Sequence, residues 1–518
     1  MKRLILYTII CLQTAGSWAT NQGDRLLDSM QNHGPVPLIR DHRSLWRTVD
    51  SQARLNPALH GAAFSTSLSE LSLAIDHRQQ SEAFVLEKGE GYTLPSLGVE
   101  TFLKLSERTS VWGAASYTTG RHRQVTWNST SDYDLLQPYV LADTLGGNTH
   151  SEQYRFSGGY ATRLQQWLLG AEMQVKAEQE YRDQDPRMRG VVTELQLRLG
   201  AGRDMGAYCV GAAFEGNIYK QTNSVDFYNE EGVIPEYQMT GLGTEYSRFS
   251  GDKRSLYYDG GGVAMLLNAH PIDGQGFYAD VSIDEHRYHR KLAEYNSMPL
   301  TDLYREHTGA TIGWRHTGKS QWAVYGKADY TKRTGDEHIG GTSNARYFPV
   351  IACLTMYKNH LLQTAIGAIF GHGSCGQLCD QEWHVSAEAG YRSQTEEYVY
   401  PQRQMDCRQL YSELNGQWLT ALSSLVLLTV EGHAAYTAHL DDKVVLPYAN
   451  MDAKTVALMN HKRDYANASY TDVGACLRAD YALSGGRYGL FAQMAAAAVF
   501  CSLGSRQLDL HASIGITF

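Results

Sequence analysis

The last thirteen residues, Arg506 to Phe518, read RQLDLHASIGITF. Taken in steps of two, Leu508, Leu510, Ala512, Ile514, Ile516 and Phe518 share one face, and Gln507, Asp509, His511, Ser513, Gly515 and Thr517 share the other. That is a strand period, because successive side chains of an extended backbone point to opposite faces. One face is apolar and the other is wet. Such a strand can end a water-soluble sandwich. Ending on an aromatic residue favours a second reading, the closing strand of a bacterial outer-membrane β-barrel, where a terminal Phe like Phe518 resembles the signal read by the barrel assembly machinery.

The N-terminus and the composition agree with export to that membrane. Lys2 and Arg3, the apolar run Leu4 to Leu12 and the small-residue exit at Ser17-Trp18-Ala19 predict a cleaved signal peptide over 1–19. Cys11 lacks the small residue that a lipid-attachment box needs just ahead of its Cys. Past the signal, no run approaches the roughly 18 apolar residues of a membrane helix, and mean hydropathy is -0.38, which excludes an α-helical membrane protein. A barrel turns every second residue toward a polar interior and keeps just such a hydropathy. The 33 Tyr and 9 Trp suit interfacial girdles, and 49 Gly against 12 Pro suit turns and crowded walls. A net charge of -9 without a recurring basic patch argues against a nucleic-acid partner.

After a polar stretch over 20–60 with Pro35 and Pro37, which fits either a periplasmic lead-in or a segment folded into the barrel mouth, the barrel domain is expected over 61–518. Alternating segments of about ten residues are placed at 64–75, 96–105, 111–119, 153–164, 167–178, 191–201, 207–218, 256–267 and 277–288. Nine more follow at 306–316, 321–331, 361–371, 382–393, 409–419, 425–436, 468–482, 487–500 and 507–518. Short connections such as SERTS and TGKS alternate with long polar stretches at 120–152, 179–190, 219–255, 289–305, 332–360 and 437–467. Short periplasmic turns and long external loops are the outer-membrane pattern, and both barrel ends on the periplasmic side require an even strand count. The expectation is eighteen antiparallel strands, with sixteen as the alternative. The extended-looking RYFPVIACLTMY, Arg346 to Tyr357, would break the parity and is read as an external or inward-folded segment.

With the strands placed, YDLLQPYVLADTLGG (133–147), RFSGGYA (155–161), EYRDQDPRMRGVV (180–192), EYQMTGLG (236–243) and YFPVIA (347–352) resemble an uncharacterised family of outer-membrane barrels from Gram-negative gut anaerobes. The resemblance covers nearly all of the mature chain. It implies fold and location, and brings no catalytic residue, ligand or partner, since the family is a domain of unknown function.

Candidate chemistry is sparse. In DEHRYHR, Asp284 to Arg290, alternation sends Asp284, His286 and Tyr288 to one face and Glu285, Arg287 and His289 to the other, so the two His do not converge on a metal. Cys375 and Cys379 in GHGSCGQLCD leave two readings, a local disulfide closing a turn or two free thiols. His384 and Ser386 share a strand face and His433 lies on another strand, but no G-x-S-x-G elbow marks them. No catalytic, metal or cofactor residue is therefore assigned, and no enzymatic activity is expected. Long Tyr-, Asp- and Asn-rich loops such as 219–254 could hold a sugar by stacking.

Eighteen strands enclose an aqueous channel unless loops fill it. The expected function is passive passage of small polar solutes. The first rival is a non-conducting barrel whose loops bind a glycan or an envelope protein, and the second is an outer-membrane hydrolase. The 40-odd residues ahead of the first strand are too few for the plug domain of large energy-coupled transporters. Mid-strand inward positions read as Gly, Ser, Gln and Ala with few charges, which leaves channel and filled barrel balanced. Besides the assembly machinery, the expected partner is outer-membrane lipid.

Overall fold

The computed structural model describes residues 35–229, 236–246, 255–293, 296–342, 349–372, 381–448, 451–483 and 488–518. Eighteen antiparallel strands form one sheet. They are β1 (Leu68–Gln80), β2 (Gly91–Ser106), β3 (Thr109–Val125), β4 (Gly147–Leu164), β5 (Trp167–Tyr181), β6 (Arg187–Met205), β7 (Tyr208–Asp226), β8 (Ser255–Pro271) and β9 (Gly276–Leu292). Then come β10 (Met298–His316), β11 (Ser320–Gly340), β12 (Val350–His372), β13 (Gln381–Tyr398), β14 (Arg403–Ser423), β15 (Val426–Val445), β16 (Tyr470–Ala482), β17 (Gly489–Cys501) and β18 (Arg506–Thr517). Each strand pairs with its chain neighbours, and β18 pairs with β1 in the register Ser72 to Gly515 and Ile75 to Ala512. Closure removes every sheet edge, as a lipid environment demands. Phe518 completes the seam: its N–H donates to the Ser69 carbonyl at 2.9 Å, and the Ser69 N–H donates back to the Phe518 carbonyl at 2.9 Å.

The outward face carries the hydrocarbon belt. Leu73, Phe156, Leu199, Ile283, Ile366 and Ile514 are all exposed on it. Near the short-turn end it is ringed by Trp167, Trp314, Trp322, Phe370, Trp383 and Trp418, and toward the long-loop end by Tyr154, Tyr330 and Tyr436. On β11, Trp322 and Tyr330 are about 26 Å apart along the strand. A tilt of about 40° brings that to about 20 Å of depth, near the ~25 Å apolar band of such barrels. The chain is an outer-membrane barrel.

Beyond the upper ring the strands run on. Of the long polar stretches, 179–190, 289–305 and 332–360 are largely strand, leaving connections such as Arg182 to Pro186. Val350 to Tyr357 is the upper part of β12 and no additional strand, so the even count stands. Outside the hydrocarbon the outer face is wet and inner positions such as Tyr357 pack against loops, so the outward apolar alternation that marks a strand in the sequence is lost.

The interior is filled from both ends. At the short-turn end, helix α1 (Pro35–Arg43), 3₁₀ turns at Leu45–Asp50 and Ala53–Leu55, and the short helix α2 (Pro57–His60) lie against the inner wall. At the long-loop end, residues 126–146 with the turn of helix α3 (Tyr133–Leu136), the strand pair Tyr237–Gly241 and Thr244–Glu245, and helix α4 (Ala453–Ala466) fold inward. Leu136, Leu141, Met239, Leu458 and Met459 of this lid pack with wall residues Tyr219, Leu256, Leu292, Leu300 and Tyr357 in the largest apolar core of the molecule.

Candidate functional site

Because inward positions recur every second residue, the lumen wall is legible strand by strand, and it is more charged than the mid-strand sequence suggests. Glu172, Lys176 and Glu178 of β5, Glu194 and Arg198 of β6 and Glu215 of β7 all face inward, where Lys176 binds Glu178, Arg198 binds Glu172 and Glu215, and Asn217 donates to Glu194. Lys176 Nζ reaches Asp132 Oδ1 at 2.5 Å and Glu178 Oε2 at 2.8 Å, tying the lid to the wall. The contacts of Arg198 with Glu172 and Glu215 tie three neighbouring strands together. These charges therefore act as struts and form no open ring.

The N-terminal segment is anchored by polar contacts of the same kind. Leu45 N–H donates to Gln417 Oε1 at 2.6 Å, Gln417 Nε2 donates to the Arg43 carbonyl at 2.8 Å, and Ser44 Oγ donates to Glu382. Arg43 pairs with Glu70 at 2.5 Å, and Arg315 binds Asp50, which also lies 3.4 Å from His270 Nδ1. Asn56 donates to Asn268 at 3.2 Å. Gly170 and Gly200 leave the space for this turn, because a Cβ at either would run into Pro57 or Asn56. A segment of some thirty residues thus occupies the short-turn half of the lumen.

His60 sits 4.6 Å from Trp112 and 5.9 Å from Phe102, ring to ring, and burial pushes its pKa down to about 4 against a weaker opposite pull from Glu172. For Asp50, burial pulls the pKa up, but the hydrogen bond from His270 and the charge of Arg315 outweigh it and hold the carboxyl below its ordinary range. The released segment would protonate His60 near its ordinary 6.5. The seated state is therefore fully favoured above that pH and loses stability as pH falls toward 4, by up to ~3 kcal/mol. A spin label at position 55, where Leu55 is exposed, should show a mobile fraction growing between pH 7.5 and 4.5. An unchanged spectrum would refute this.

Beneath the lid lies a cavity of ≈ 950 Å³. Its lining carries both signs of charge, the carboxylates Asp132, Glu178 and Glu180 and the guanidinium groups of Arg78, Arg305 and Arg333, while Phe84, Tyr92 and Tyr133 add rings. Tyr133 donates to Glu87 at 2.9 Å, and burial together with that carboxylate holds its phenol protonated, well above the usual range. A second cavity of ≈ 350 Å³ shares Arg78 and Tyr92 with the first, and a third of ≈ 430 Å³ shares Glu431 and Cys476 with the second. The three descend past the N-terminal segment.

The residues singled out in the sequence are scattered. Asp284 and His286 face the lumen, where Asp284 accepts from His307 at 2.7 Å and Arg305 at 3.1 Å, whereas Arg287 and His289 face outward and both bind Asp302. Among the described residues no group of His, Cys, Asp and Glu could hold a metal ion. His384 bonds Gln321 at 2.8 Å beneath Trp46, and His433 bonds Asp472 at 3.1 Å, so neither meets Ser386 as a base. Cys375 and Cys379 lie outside the described residues. The aromatic loop 219–254 offers little stacking surface: Tyr219 is buried against Asp132, Tyr237 binds Asp452, and only Tyr228 is widely exposed among its described rings. The open pore expected from the strand number is not what the described residues form, since its lumen holds the segment, the lid and paired charges. Of the two positions open for residues 20–60, the described part takes the one inside the barrel, whereas the inward fold of residues 126–146 was not legible, because that stretch has no regular period.

No curated protein matches the chain. Among solved structures it is similar to the ferric preacinetobactin receptor BauA of Acinetobacter baumannii, at 9% identity and TM-score 0.38 over 87% of this chain and 80% of that one. It is likewise similar to the ferric enterobactin receptor PfeA of Pseudomonas aeruginosa, at 8% and 0.38 over 89% and 85%. For the copper transporter OprC the values are 8% and 0.37 over 87% and 81%. Likenesses this distant say nothing about ligand or activity. A family model, by contrast, matches residues 57–518, the whole barrel together with the end of the N-terminal segment, and the chain belongs to the family of unknown function DUF6850.

Proposed function

We propose that this protein is a non-conducting, gated barrel whose outer chamber takes up a polar ligand of about sugar size from outside the cell. The observation that carries the reading is the filling of the lumen from both ends around a ≈ 950 Å³ cavity. That volume lies within the range of ordinary ligand sites, about 300–1,000 Å³. A lining that offers both carboxylates and guanidinium groups suits a ligand with both hydrogen-bond donors and acceptors, such as a glycan fragment. Free passage of small polar solutes is the second reading. It is favoured by the three cavities that share lining residues past the N-terminal segment, and it requires that segment to move.

Phe518, hydrogen-bonded into the seam, is the proposed contact for the assembly machinery. In a planar bilayer the purified barrel should be silent at neutral pH while still shifting its gel mobility on heating. Steady nanosiemens steps from the native protein would overturn the gated reading and restore the open channel.

A further inference from the structure

The wet face of β18 carries a constellation that neither reading of the lumen uses. His511 Nδ1 lies 2.7 Å from Asp76 Oδ1 on β1, and His511 Nε2 lies 3.3 Å from Ser513 Oγ on its own strand. The proton positions follow from the chemistry of the three groups. An ionised carboxylate can only accept, so the proton sits on Nδ1. Nε2 is left as an acceptor, and the Ser513 hydroxyl donates to it. A serine aimed at the free nitrogen of an imidazole whose other nitrogen is held by a carboxylate is the arrangement that activates a nucleophile, and it is recognised by geometry irrespective of fold or chain order.

Its surroundings fit a small substrate. Asp76 and His511 line the ≈ 350 Å³ cavity, which shares Arg78 and Tyr92 with the outer chamber. The wall beside His511 is unusually open, because its cross-strand partner is Ala495 and Ala497 follows on the same inward face. Gln493 is the register partner of Ser513 and lines the adjoining cavity, so it places a side-chain amide on the reacting face. Other His–carboxylate pairs of the lumen, such as His433 with Asp472 and His307 with Asp284, have no serine recorded on the second nitrogen.

We propose that Asp76, His511 and Ser513 form a nucleophilic triad that hydrolyses short-chain carboxylic esters, such as acetyl esters, inside the barrel. Ser513 Oγ gives its proton to His511 Nε2 and bonds to the ester carbonyl carbon. The bond from that carbon to the leaving alcohol oxygen then breaks, and His511 returns the proton to the alcohol. Water, deprotonated in turn by Nε2, attacks the acyl-serine, releases the carboxylic acid and regenerates the Ser513 hydroxyl. Gln493 donates to the carbonyl oxygen as it becomes negative.

Diisopropyl fluorophosphate and p-nitrophenyl acetate test this on the full-length barrel in detergent, with heat-dependent gel mobility as the check that each variant is folded. The native protein should take up one phosphoryl adduct, located at Ser513 by peptide mass, and should hydrolyse the acetate ester. S513A and H511A should lose both properties, D76N should lose turnover because it no longer holds the required tautomer, and S386A, on the inward face of β13, should keep both. A folded native barrel without adduct, an adduct at another residue, or S513A hydrolysing the ester at the native rate would each overturn the proposal.

Discussion

Replacing Arg182 with Ala should release the lid from an otherwise intact barrel. Arg182 follows β5, and its guanidinium reaches Asp143 Oδ2 at 2.8 Å, the Asn128 carbonyl at 3.2 Å and the Pro186 carbonyl at 3.4 Å. The two charged side chains are 1% and 0% exposed. Asp143 also accepts from Ser129 Oγ at 2.6 Å and from the Gly146 N–H at 2.6 Å, so it organises the chain on both sides of the strand Leu141–Ala142. Removing one partner strands a buried carboxylate, at a cost of about 3–5 kcal/mol. The loss should be local, because the ladder of the wall is untouched.

Limited proteolysis of reconstituted R182A should cut within 126–146 many times faster than in the native protein, with heat-dependent mobility preserved. R182K keeps a charge but loses the fork that spans four acceptors, the Val125 carbonyl at 3.5 Å included, and should fall between the two. Adding D143N to R182A removes the stranded charge and should restore part of the protection. A cleavage rate equal to the native one in R182A would show that Arg182 is no clasp. It would also weaken the gated reading, since the lid would then be held without its most buried ion pair.

The second large effect is expected on the opposite face of the wall. Ile366 on β12 is 74% exposed, in the middle of the outward belt. Ile366→Arg should cost about 2–4 kcal/mol of folding free energy in a bilayer, as a cation at the midplane does, while a site above the upper ring should cost about 0–1 kcal/mol. Thr334, on the outward face of β11 beyond Tyr330, supplies that control as Thr334→Arg. Urea titration of refolding into phospholipid vesicles reads both. Equal costs at the two sites would mean that the belt drawn between Trp322 and Tyr330 is misplaced. In detergent-free water neither substitution has a comparable meaning, since the penalty belongs to the hydrocarbon and not to any contact within the chain.

The sequence alone carried the wall. Alternation in segments such as RQLDLHASIGITF marks a strand wherever one face meets hydrocarbon, and the parity of short and long connections set the count at eighteen. Hydrocarbon imposes its pattern locally, residue by residue, so a single sequence suffices to see it. Above the belt, where the outer face of β11 and β12 stands in water and the inner face meets the lid, that pressure ends and the strands were shorter in the reading than in the molecule.

Only the tertiary structure decided what the wall encloses. Residues 35–66 and 126–146 have no period to betray them, and they are held by single contacts to distant strands, such as Asn56 to Asn268 and Arg315 to Asp50. The same holds for the candidate triad: His511 and Ser513 are visible as wet positions two residues apart, but Asp76 comes beside them only when the last strand pairs with the first. Closure joins the two ends of the barrel sequence. No local pattern in either strand records which residues will then face each other.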